Sequence, residues 1–233
     1  MGKTSKRFAQ LSQQIGNNGQ PRPLSEAVAL AKKTANAKFD ETIEAAIRLG
    51  VNPSKGEETV RGTLTLPHGT GKTPRVAVFA KGEGAAAAEA AGADRVGAED
   101  LVEAIDKGWD EFDVLVAQPD VMRLVGRLGK KLGPRMPSKK AGNITPNVGD
   151  AVRELKAGKV EFRMDKAAIL HVPIGKASFE EKQLEENLRA LLAAVLRARP
   201  SAAKGRYIES IAVSATMGPG IKVDVGDALA VMA

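Results

Sequence analysis

The chain has 233 residues, of which 43% are hydrophobic and 3% aromatic, with no cysteine, two histidines and a formal charge of +7. That length buries the core of one large domain or two ordinary ones, and the lack of cysteine excludes disulfides, Cys-His zinc sites and thiol nucleophiles. There is no run of 18 apolar residues and no apolar leader behind the charged start, so neither a membrane span nor a secretory signal is read, and a cytoplasmic protein is expected.

Residues 1–23 end in Gly, Asn, Gln and Pro and read as a tail, after which Ser25 is placed to cap the helix "EAVALAKKTA". "ETIEAAIRLG" sets Ile43, Ala45, Ile47 and Leu49 at period two, and "VRGTLTL" does the same with Val60, Gly62, Leu64 and Leu66. Both predict half-buried antiparallel strands. Beyond "PHGTGKTP" the texture changes to continuous apolar strands, "RVAVFA" and "FDVLVAQ", alternating with helices over "GEGAAAAEAAGA", "AEDLVEAIDKG" and "DVMRLVGRLGKK". This predicts a parallel sheet covered on both faces. From residue 160 the antiparallel texture returns: "KVEFRMD" and "AILHVPIG" read as paired strands. Ser178 and Glu181 read as a capping box opening a helix with Leu184, Leu188, Leu191 and Val195 on one stripe. Pro200 stops that helix, and "YIESIAVSAT" and "IKVDV" close the chain as strands. The reading is a mixed α/β protein of two domains: a discontinuous one from 1–66 and 160–233, with a mainly antiparallel sheet, and an inserted parallel one over 67–159.

The charge is uneven. Residues 83–120 hold eleven acids against Arg95 and Lys107, whereas 121–149 hold Arg123, Arg127, Lys130, Lys131, Arg135, Lys139 and Lys140 with no acid at all. Such polarity suits a surface that meets phosphates on one side. Scarce, scattered aromatics argue against base-stacking platforms for single strands, so a nucleic-acid partner would be folded, largely double-stranded RNA.

Three other motifs carry less. "GTGKT" (69–73) has Leu66 where a phosphate-binding loop needs glycine, and it precedes a strand. Gly82, Gly84 and Ala87 satisfy a loose dinucleotide fingerprint between strand and helix, but Glu83 would face the pyrophosphate. A glycine turn letting an alanine-faced helix pack closely on the sheet is the simpler reading. His68 and His171 have no spacing that builds a catalytic triad.

In this order, "AKFDETIE", "VRGTLTLPHGTGK", "AGAD", "GWDEFDVLVAQPDVM", "LGKKLGPR", "AGNITPNVGDAV", "EFRMDK", "IGKASF" and "SATMGPG" resemble the L-one family of bacterial large-subunit ribosomal proteins over nearly the whole chain. The resemblance implies an α/β RNA-binding domain from both termini and an inserted Rossmann-like domain. It implies binding to 23S rRNA in the mobile stalk of the large ribosomal subunit, help in releasing deacylated exit-site tRNA, and repression of its own operon through an mRNA mimic of the rRNA site. A monomer outside the ribosome, with no cofactor, metal or membrane, is expected. Matched residue by residue, the resemblance assigns RNA contacts to Lys38, Phe39, Thr42 and Glu44, to Arg163, Asp165, Lys166 and His171, and to Ser214, Thr216, Met217 and Gly218, the three segments meeting on one surface. In that reading Thr216 and Ser214 bond ribose hydroxyls, Met217 lies against sugars or bases, and Gly218 lets backbone approach RNA. Arg127, Lys130, Lys131, Arg135, Lys139 and Lys140 form a secondary face toward rRNA or tRNA, presented by a loop over 128–146. The sequence departs from the family at "LGPRMPSKK", two residues shorter than usual, at Ala168 in place of a common glycine and at Ala215 in place of a threonine. A nucleotide-dependent enzyme built on "GEGAAA" and a free-standing RNA-binding regulator are the alternatives.

Overall fold

The computed structural model of the chain describes residues 5–16, 19–139 and 141–230. In chain order these form helices α1 (Lys6–Ile15) and α2 (Leu24–Thr34), strands β1 (Thr42–Leu49), β2 (Arg61–Thr65) and β3 (Val76–Phe79), helix α3 (Glu83–Ala90), strand β4 (Arg95–Gly97), helix α4 (Glu99–Asp106) and strand β5 (Val114–Ala117). Two single-turn helices, α5 (Met122–Val125) and α6 (Gly129–Leu132), precede α7 (Val148–Lys156). Strands β6 (Lys159–Arg163) and β7 (Ile169–Lys176), helix α8 (Glu181–Arg197), strands β8 (Ile208–Ala215) and β9 (Ile221–Val223) and helix α9 (Val225–Ala230) follow. The chain divides into two compact units, Met1–Gly71 with Val160–Ala233, and Lys72–Lys159. It is a mixed α/β protein whose antiparallel sheet draws on both ends of the chain and whose parallel sheet stands apart.

In the first unit the four-stranded sheet runs β7-β1-β8-β9, every pair antiparallel. Side chains alternate across a strand, so Ile43, Ala45, Ile47 and Leu49 of β1 share the inner face with Leu170, Val172 and Ile174 of β7 and with Ile211, Val213 and Ala215 of β8, all buried. Helices α2 and α8 cover that face with Leu24, Ala27, Val28 and Ala31, and with Leu184, Leu188, Leu191, Leu192 and Val195. Each buried leucine or valine there contributes about 1.5–3 kcal/mol relative to exposure. The helix also buries Asn187 completely. Its amide accepts from the His68 N–H at 3.0 Å and donates to the Gly69 and Ile174 carbonyls at 3.0 and 2.7 Å, so the backbone groups it meets are paired.

Four sequence expectations change here. The tail reading fails for the described part of 1–23. Residues Lys6–Ile15 are a helix with Leu11 and Ile15 buried, and Arg22 makes a parallel bridge to Val223. Helix α2 starts one residue before Ser25, and Asp227 caps it by accepting the Leu24 N–H at 2.9 Å. The capping box on α8 is Glu180 with Gln183, because Ser178 is engaged by Asp40 through both its N–H (3.1 Å) and its hydroxyl (2.9 Å). Finally, β6 and β7 are not partners. Eight-residue β7 pairs with eight-residue β1, and five-residue β6 pairs with five-residue β2 in a separate two-stranded sheet. Matching lengths leaves fewer ladder groups unpaired than joining an eight-residue strand to a five-residue one.

In the second unit the parallel sheet has the order β4-β3-β5. Val76, Val78 and Val116 point to one side, where Ala88 of α3 and Val148, Ala151, Val152 and Leu155 of α7 cover them. Ala77, Phe79, Leu115 and Ala117 point to the other, against Leu101 and Ile105 of α4 and the run Val121, Val125, Leu128 and Leu132. The sheet is therefore covered on both faces, as its unbroken apolar strands require.

Candidate nucleic-acid interface

The outer face of the four-stranded sheet is open. Across one row, Glu44 stands between Pro173 and Ser214, and across the next, His171, Ala46, Ala212 and Lys222 are in register. Glu44, Arg48, His171 and Lys222 are exposed. A sheet whose strands alternate buried and polar residues, and whose polar face carries no covering layer among the described residues of this unit, presents a broad polar platform.

At the β1 start of this platform, the loop over 36–41 and the β8–β9 turn are brought together. Among the described residues only three large apolar side chains are exposed, Phe8 (39%), Phe39 (55%) and Met217 (51%), and the last two belong to these two loops. Glu41 joins them. Its carboxylate is 1% exposed and accepts the Ala37 N–H and the Met217 N–H, each at 2.8 Å, with the Arg7 guanidinium 3.5 Å away. Arg7 also donates to the Asn36 side chain at 2.8 Å, which brings the N-terminal turn of α1 to the same place. Sequence reading missed Arg7 and Glu41. Both act across long separations, 29 residues for Arg7 to Asn36 and 176 for Glu41 to Met217, and no local spacing encodes that.

Thr216 is bonded within the protein. Its hydroxyl accepts the Thr42 N–H at 3.0 Å and donates to the Thr42 carbonyl at 3.1 Å, while its own N–H donates to the same carbonyl at 3.0 Å. The hydroxyl proton is thus committed to the protein, and Thr216 fixes the turn to the start of β1. Thr42 in turn accepts from Lys176 Nζ at 3.0 Å. Gly218 is likewise explained from inside: a Cβ placed there would lie 3.2 Å from the Ala215 Cβ and from Thr34 Oγ1. Its bare Cα permits close packing beneath the turn. Ser214 remains half-buried on the platform beside Glu44, and Lys38 is exposed at the loop tip.

The second predicted cluster is divided. His171 lies mid-platform, opposite Ala46. Asp165 and Lys166 sit in the turn entering β7 at the opposite end of β1 from Thr42, and Arg163 belongs to the separate β2–β6 sheet. Asp165 builds that turn: one carboxylate oxygen accepts the Ala167 and Ile169 N–H groups, each at 2.8 Å, and the other is 3.7 Å from His171 Nε2. The Ile169 N–H foremost, then Ala167 and His171, hold its pKa below the usual aspartate value. Stabilisation from this group is therefore present above the unfolded pKa and lost as pH falls through the lower folded one. Ala168 ends the turn at φ 60°, where a Cβ costs about 1–2 kcal/mol and glycine's extra freedom about 0.5–1. Ala168→Gly is expected to raise stability by about 0.5 kcal/mol in urea unfolding; a loss would show that the buried methyl outweighs the strain.

In the second unit, the segment read as a loop from residue 128 begins as helix. Buried Leu128 and Leu132 anchor it to the sheet, leaving Arg123, Arg127 and Lys130 exposed. Two of the expected phosphate-facing cations are engaged: Lys131 donates to Asp106 Oδ1 at 2.7 Å, and Arg135 lies over the Phe112 ring at 5.0 Å with Asp110 at 3.9 Å. Lys139 is exposed, and Lys140 lies outside the described residues. At the carboxyl ends of β3 and β5, where a dinucleotide would sit, Gln118 fills the space. A Cβ on Gly84 would lie 2.2 Å from its Nε2, and its Oε1 accepts the Lys81 N–H at 3.0 Å. Glu83 and Asp150 line the same crevice, so two carboxylates would oppose a pyrophosphate. The close packing of α3 against α7 rests on Gly149 of α7, where a Cβ would come 3.1 Å from the Ala87 carbonyl.

A family model, described as the Ribosomal protein L1p/L10e family, matches residues 31–219. The matched span holds the whole parallel sheet, three strands of the antiparallel one and both loops that carry Phe39 and Met217. With that fold and coverage, the chain belongs to the Ribosomal protein L1p/L10e family, a family of structural, RNA-binding ribosomal proteins.

Proposed function

We propose that this protein binds folded 23S rRNA of the large-subunit stalk through the outer face of its first unit, with Phe39 and Met217 against sugars and bases and Lys38 toward phosphates. The observation that carries this is that the loops bearing Phe39 and Met217, the two most exposed large apolar side chains among the described residues, both bond through backbone N–H groups to one buried carboxylate, Glu41. Exposed apolar groups held by a fixed frame mark a contact surface. Glu44 and Ser214, adjacent on the platform, supply hydrogen-bonding groups for ribose 2′-hydroxyls, which suits a wide, shallow RNA minor groove.

On this reading the protein works in the cytoplasm on the ribosome as part of the mobile stalk, where it assists release of deacylated tRNA from the exit site. The exposed Arg123, Arg127, Lys130 and Lys139 of the second unit face rRNA or passing tRNA. An mRNA segment that imitates the rRNA site would occupy the same platform, giving repression of its own operon. Titrating the full chain with a transcript of the stalk rRNA and, separately, with a nucleotide panel tests the core of this. Tight, salt-sensitive RNA binding without a nucleotide response is expected; nucleotide binding without RNA binding would overturn it. Neutralising Lys139 should leave affinity for that transcript nearly unchanged, because the principal site lies on the other unit.

A further inference from the structure

At the end of the platform remote from Thr216 lies a cleft of about 600 Å³ lined by Arg48, Asn52, Lys166, Lys204, Arg206 and Glu209, among others. Three separate stretches converge there: the end of β1 with the loop after it, the turn entering β7, and the segment leading into β8. The convergence is fixed by backbone bonds. The Leu49 N–H donates to the Ala168 carbonyl at 2.8 Å, and the Gly50 N–H donates to the Tyr207 carbonyl at 2.8 Å.

The charge in this cleft is one-sided. Four cations line it against a single carboxylate, Glu209, and that carboxylate is taken by Arg48 at 2.9 Å. Arg206 donates through Nε to the Ile208 carbonyl at 3.2 Å, which holds its guanidinium in place without neutralising it. Lys166 and Lys204 are exposed and have no acidic partner among the described residues. Like charges so gathered repel one another, and a polyanion would relieve that repulsion. Among the described residues no aromatic side chain lines the cleft, so it lacks the ring platform that single-strand binders use.

The cleft also lies on the platform's long axis. Strand β1 has eight residues, and at about 3.3 Å per residue its two ends are roughly 23 Å apart. Contacts at Phe39 and Met217 alone would leave the far end without a ligand. From this we infer that the Arg48, Lys166, Lys204 and Arg206 cleft is a second subsite of the RNA interface, one that takes the sugar-phosphate backbone of the same folded RNA. It positions the RNA along β1 and carries no sequence preference. The inference rests on the platform being the RNA-binding surface.

The test compares the full chain with a Lys204→Gln/Arg206→Gln double variant, using a stalk rRNA transcript at 50–300 mM KCl. Losing two phosphate contacts should reduce the slope of log affinity against log salt by about 1.5, with a loss of about 5- to 10-fold at physiological salt. The unfolding midpoint should hold, since both side chains are exposed. A Lys166→Gln/Lys204→Gln pair, which leaves the Arg206 bond intact, should give the same change. Unchanged slope and affinity in both pairs, with Met217→Asp still impaired, would overturn the cleft assignment alone. Failure of the unaltered chain to bind the transcript would overturn the platform reading as well.

Discussion

Met217→Asp is expected to weaken binding to the stalk rRNA transcript by more than about 2 kcal/mol, roughly 30-fold, while leaving the unfolding midpoint near its original value. Met217 is 51% exposed and its anchoring is through the backbone, by the 2.8 Å bond from its N–H to Glu41, so the side chain can change without disturbing the turn. The substitution removes an apolar contact and sets a carboxylate against phosphate-rich RNA, and both terms act in the same direction. Met217→Leu, which keeps the apolar contact, should retain most of the affinity. If the aspartate variant folds and binds as tightly as the parent, the turn does not touch RNA.

Glu41→Ala is expected to cost about 3 kcal/mol of stability in denaturant unfolding, and to weaken RNA binding beyond what lost stability explains. The carboxylate is buried, and its removal leaves the Ala37 and Met217 N–H groups without an acceptor and the Arg7 guanidinium without its counter-charge. A charge-assisted hydrogen bond of this kind contributes about 1.5–3 kcal/mol, and an orphaned buried donor adds to the loss. The two loops presenting Phe39 and Met217 would then move independently, so their contacts with RNA would have to be ordered on binding. Glu41→Gln should lie between, because an amide offers a single acceptor oxygen to two donors. Equal RNA affinity for all three proteins, once folded, would show that Glu41 supports the fold and not the surface.

Much of the architecture was legible because it is written in local periodicity. The alternation through Ile43, Ala45, Ile47 and Leu49, the stripe of Leu184, Leu188, Leu191 and Val195, and the unbroken apolar runs around Val76 and Val114 each correspond to an element that the structure contains. What was not legible depends on distance. Asp227 caps a helix 203 residues earlier in the chain, and the choice of β1 over β6 as the partner of β7 is made by strand length and core packing. Helix α1 was hidden because its apolar positions, Phe8, Leu11 and Ile15, are set among glutamine and serine. The resemblance named residues in both loops, and the structure adds what holds those loops in place. Thr216 and Gly218 are tied into the frame of the turn, and Phe39, Met217, Lys38 and Thr216 are exposed. Nor could spacing gather Arg48, Lys166, Lys204 and Arg206, which only the fold brings to one cleft.

Amide hydrogen exchange on the full chain, with and without the stalk rRNA transcript, would map the RNA-contacting surface segment by segment. Exchange should slow in 36–42 and 214–218, and at the far end of the platform in 48–52, 165–168 and 204–206, with little change across 76–117. Protection confined to 121–139 of the second unit, with the platform exchanging as in the free protein, would contradict RNA binding at the platform.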